Sequence, residues 1–130
     1  MFYIVETKQS VERAAAAVEA AVKKHGFGVL HVYDLRRTLA EKGFELPAEC
    51  RIFEVCRPQQ AIEVLTTDMN LNMALPCRIS VYEERDRTKI GTIRPREMLG
   101  LLSDDPKLAA IAHTVDDALR KIIDEAATTD

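Results

Sequence analysis

Two cysteines, Cys56 and Cys77, stand beside prolines at element boundaries. Cys56-Arg57-Pro58 closes an apolar run and opens a helical one. Leu75-Pro76-Cys77-Arg78 leads into the next apolar run. A thiolate is a nucleophile, a redox group and a soft-metal ligand, and all three depend on the thiol's pKa. A helix N-terminus carries about half a positive charge, and Arg57 adds a cation beside it. The local field therefore predicts a lowered pKa at Cys56. The competing reading is that both cysteines are small buried hydrophobes, as free cysteine often is. Cys50 has the same parity as Cys56 on one strand and sits roughly 20 Å from it, at about 3.3 Å per residue. Those two cannot share an ion or a disulfide. No Cys-x-x-Cys is present, so a structural zinc site is not expected and no metal ligands are assigned.

Other chemistry-bearing residues are sparse. Met69, Met73 and Cys77 bracket one segment, and their sulfur donors suit Cu(I), although methionine more commonly fills core gaps. Asp34 precedes a helical run and reads as a helix cap before it reads as a catalytic acid. There is no Gly-rich phosphate loop and no nucleophile-elbow serine. His25, His31 and His113 are far apart and read as surface or helix-end residues. No catalytic residue and no cofactor is assigned.

The elements that position these residues follow from periodicity. Phe2 to Thr7 reads as a strand. Ser10 caps a helix with Val11, Ala14, Ala15, Val18, Ala21 and Val22 on one stripe, and Gly26 ends it. Gly28 to Tyr33 is a second strand, and Asp34 caps a short helix that Gly43 ends. Arg51 to Cys56 is a third strand. Pro58 opens a helix that Thr66-Thr67-Asp68 ends. Met69 to Leu75 alternates apolar and polar and reads as an extended segment or a loop. Cys77 to Glu83 and Thr88 to Ile93 form a hairpin about a charged turn, so at least part of the sheet is antiparallel. Pro95 starts a short helix that Gly100 closes. Asp105 caps the last helix, whose stripe runs Leu108, Ile111, Ala112, Val115, Leu119, Ile122, Ile123 and Ala126. If strands three and four are antiparallel neighbours, Cys56 and Cys77 meet at one rim of the sheet.

The chain has 130 residues, 47% hydrophobic and 30% charged, with a formal net charge of −3. This is the size and balance of a single globular domain over residues 1–130. No basic excess points to nucleic acid; Arg85, Arg87, Lys89, Arg94 and Arg96 read as a solvated hairpin rim. No apolar run reaches the ~20 residues that span a membrane. With three cysteines and no signal-like N-terminus, a reducing, cytoplasmic setting is the expectation.

Three elements together resemble a known family. They are Gly26-Phe27-Gly28 leading to Asp34, Cys56-Arg57-Pro58-Gln59-Gln60-Ala61, and Leu75-Pro76-Cys77 entering a strand. The pattern resembles the bacterial and archaeal family called domain of unknown function 302, over roughly residues 26–95. The family commonly has Asn where this chain has Arg57 and Arg78, so cationic contacts would replace carboxamide hydrogen bonds there. The resemblance implies an α+β fold of β-α-β4-α type. In it a curved, mostly antiparallel five-stranded sheet packs against long helices, with short extra helices. It also implies a homodimer and no particular activity. On these grounds the leading expectation is a ligand- or metal-binding or sensing module around Cys56, Cys77, Arg57, Arg78 and Asp34. The alternatives are a thiol-dependent redox or sulfur-handling enzyme and a homodimeric interaction protein without chemistry. A small-molecule ligand is the expected partner of the first.

Overall fold

The computed structural model describes residues 1–129. Five strands, β1 (Phe2–Thr7), β2 (Gly28–Asp34), β3 (Cys50–Cys56), β4 (Cys77–Glu84) and β5 (Arg87–Ile93), form one sheet in the order β1-β5-β4-β3-β2. Every neighbouring pair is antiparallel. The fold is α+β, as the sequence and its resemblance imply. The helices are α1 (Val11–Lys24), α2 (Leu35–Glu41), α3 (Pro58–Thr67), α4 (Pro95–Leu102) and α5 (Pro106–Ala127).

Helices α1 and α5 form because their apolar residues recur at helical spacing and their caps are in place. The Ser10 and Asp105 side chains accept from the backbone N–H of Arg13 and Lys107, at 3.2 and 2.8 Å. After α1 the chain turns at Gly26, whose φ of 79° suits a residue without Cβ. Both apolar stripes pack on one sheet face, against Phe53, Val55, Ile79, Val81 and Ile90. Strand alternation leaves Phe2, Ile4 and Ile93 exposed on the other face. Ile4 lies close over Gly91, where a Cβ would come within 3.0 Å of its Cγ1.

Polar contacts tie the ends of the sheet to α5. The Tyr3 hydroxyl donates to Asp124, and Gln9 Nε2 donates to the Ala126 carbonyl at 2.8 Å. Asp116 is only 1% exposed, on the apolar stripe of α5. It accepts from Arg94 Nη2 and from the Arg96 backbone N–H, both at 3.2 Å. A buried carboxylate is tolerable because it is so paired, and it pins the start of α4 to α5.

Two element expectations need correction. Met69–Ala74 is a 3₁₀ helix, neither a strand nor a loop. Asp68 caps it by accepting from Asn70 N–H at 3.0 Å. The alternation of Met and Asn imitates a strand, but a three-residue turn brings Leu71 and Ala74 to one side. These two pack into a second, smaller core with Val64, Leu99, Leu108 and Ala112. Helix α4 also runs past Gly100 to Leu102. Gly100 has no positive φ to stop it, and mid-helix glycine costs only about 1 kcal/mol.

Candidate functional site

Strands β3 and β4 are antiparallel neighbours, with Val55 opposite Cys77. The end of one strand therefore lies beside the start of the other, and this rim is the mouth of a cavity of about 260 Å³. The sheet contributes Leu30, Val55, Cys56 and Cys77. Leu30 sits where the β2–β3 register shifts between Val29 and His31. Helix α3 contributes Gln60, Ala61, Val64 and Leu65 on one side. Leu99 of α4 and Ile111 and Val115 of α5 close the far wall. The cis-linked Leu75–Pro76 pair completes the rim. The cavity lies along the seam between the two cores: Val55 and Val115 belong to the larger, Val64 and Leu99 to the smaller.

The two thiols share the rim but differ in phase. Cys77 pairs with Val55, on the face where the main core lies, and packs against that core. Cys56 is one residue further along β3, out of phase with Val55, yet at the strand's end it too lines the cavity. Burial pushes the Cys56 thiol above its ordinary range. Burial, and secondarily the nearby Cys56, push Cys77 up to about 11. This corrects the expected lowering at Cys56. The cation meant to lower it is engaged elsewhere: Arg57 Nη2 donates to the His25 carbonyl at 2.7 Å, and its guanidinium lies 4.6 Å from the Phe27 ring centroid. Desolvation of the charged form is then the dominant effect.

The remaining candidates lie elsewhere. Arg78 is exposed, 3.5 Å from Glu54, and does not line the cavity. Asp34 is at the other end of β2, six residues from Gly28, and its carboxylate caps α2 by accepting from Arg37 N–H at 3.1 Å. Its charge adds to the burial that raises the Cys50 thiol. Met69 and Met73 are 65% and 81% exposed and also lie outside the cavity lining. Among the described residues, no three His, Cys, Asp or Glu side chains converge on a possible metal position. Sequence reasoning passed over Gln60, which also lines the cavity. Its signal was position: it precedes Ala61 and Val64 on the inward side of α3.

Among the described residues no helix is long and apolar enough to cross a membrane. Residues 3–126 match the family described as Domain of unknown function DUF302. An uncharacterised conserved DUF302 protein from Bacillus stearothermophilus has a similar crystal structure. Its TM-score is 0.90 and its sequence is 33% identical, over 96% of this chain and 97% of that one. No curated protein matches the sequence.

Proposed function

Because this chain belongs to the DUF302 family, whose description names no activity, we propose a function from its own geometry: it binds a small apolar ligand in the cavity between its two cores. The observation that carries this reading is the cavity itself. An apolar pocket of a few hundred Å³ with a small number of polar groups is the usual form of a ligand site. A cavity of about 150 Å³ accepts benzene, so one of about 260 Å³ has room for two fused rings. The raised thiol pKa values support binding over thiol chemistry, because a neutral buried thiol is a poor nucleophile.

The test uses naphthalene and thermal unfolding. Ligand at about 100 times its Kd adds roughly 2.7 kcal/mol of stability, so the wild-type Tm rises by several degrees. Ala61→Trp places a ring inside the cavity from a partly exposed helix position and removes the response. A wild-type Tm that ignores naphthalene up to its solubility limit ends the reading.

A further inference from the structure

One residue of the cavity lining carries a buried polar atom that, among the described residues, has no hydrogen-bond partner. Gln60 Oε1 accepts a hydrogen bond from no group, and Gln60 lines the cavity. The neighbouring polar side chains are committed elsewhere. Arg57 is held by the His25 carbonyl and the Phe27 ring, and Asn72 Nδ2 donates to the Met69 carbonyl at 2.6 Å. A buried acceptor without a donor bears its whole desolvation penalty, and a partner that supplies a donor recovers it. Resting on the cavity reading above, we propose that the natural ligand is an apolar alcohol or phenol whose O–H donates to Gln60 Oε1. A hydroxyl both donates and accepts, so it serves either end of the carboxamide. A carboxylate is the wrong head group, since it sets negative charge against an oxygen in an apolar wall. Arg57, the one cation in the lining, already donates to the His25 carbonyl and lies over the Phe27 ring.

Four probes of one shape decide this: naphthalene, 2-naphthol, 2-methoxynaphthalene and 2-naphthoate. The chain has no Trp, so naphthol emission reports binding directly, and the others are read by displacing it. Naphthol binds about tenfold more tightly than the methoxy compound, the ratio expected of one recovered hydrogen bond. Naphthoate binds more weakly than naphthol. In Gln60→Met the naphthol advantage disappears while naphthalene binding stays. A methoxy compound or naphthoate that matches naphthol on the wild-type protein overturns the hydroxyl assignment, and so does a naphthol advantage that survives Gln60→Met. Both results leave the cavity reading standing. Failure of all four probes, naphthalene included, overturns the cavity and the hydroxyl together. The wild-type series is decisive even if the variant does not fold.

Discussion

Cys77 couples the candidate site to the stability of the chain. Its thiol ordinarily titrates near 9.0 and is pushed up to about 11 in the fold. As pH rises past 9.0, the unfolded chain loses this proton first while the folded chain keeps it. The folded state then binds more protons, so stability falls with pH until the folded thiol also ionises. The contribution is present in full below pH 9 and amounts to about 3 kcal/mol across the window. Urea midpoints measured from pH 8 to 11.5 should fall more steeply for the wild type than for Cys77→Val. Parallel profiles would mean that the thiol is not desolvated as described. The proximity of Cys56 and Cys77 was legible only as a condition, because strand order depends on contacts distant in sequence. The sign at Cys56 was misread because sequence places Arg57 next to the thiol but is silent on where a long side chain goes. Asp116 carried a readable signal: an acid at the i+4 position from Ala112 on an apolar stripe has to be paired.

Local elements were legible wherever one period dominated. The stripe of α1 is unbroken and that of α5 is interrupted only by Asp116, and their Ser10 and Asp105 caps are in place. The segment Met69–Ala74 was not legible because the five-residue alternation of apolar side chains with Asn, Met69 to Met73, fits two periods at once. The β4–β5 turn is a conflict of a different kind. Glu84 pairs with Arg87, leaving Arg85 and Asp86 as a two-residue loop with φ of 54° and 62°. Both residues occupy left-handed backbone, which two-residue hairpins of this twist require and Asn-Gly supplies best. The variant Arg85→Asn/Asp86→Gly should gain about 1 kcal/mol, or about 3–5 °C in Tm. Calorimetry that finds no gain or a loss would show that the charged turn is stabilised by contacts that offset its strain.

At the scale of the molecule, the two cores are unequal. The larger is walled by the sheet, α1 and α5, whereas the smaller gathers Val64, Leu71, Leu99, Leu108 and Ala112 around α3, the 3₁₀ helix and α4. Fewer buried contacts mean a lower free energy of local opening. Hydrogen exchange should therefore be faster for the amides of α3 and α4 than for those of β3, β4 and α1. Saturating naphthalene should slow the first group selectively, since the cavity lies along the seam. Uniform exchange across both groups would contradict a separate opening of the smaller core.

The irregular register at Leu30 also affects the borders of the sheet. β2 and β1 are its two outermost strands, and the shift between Val29 and His31 breaks the regular fringe of unpaired amides along β2. β1 runs from Phe2 to Thr7 without proline, glycine or lysine and pairs with β5 at every position. Of the two borders, the N-terminal one offers an incoming strand an uninterrupted template, so accretion of a misfolded chain is polarised towards that side of the protein.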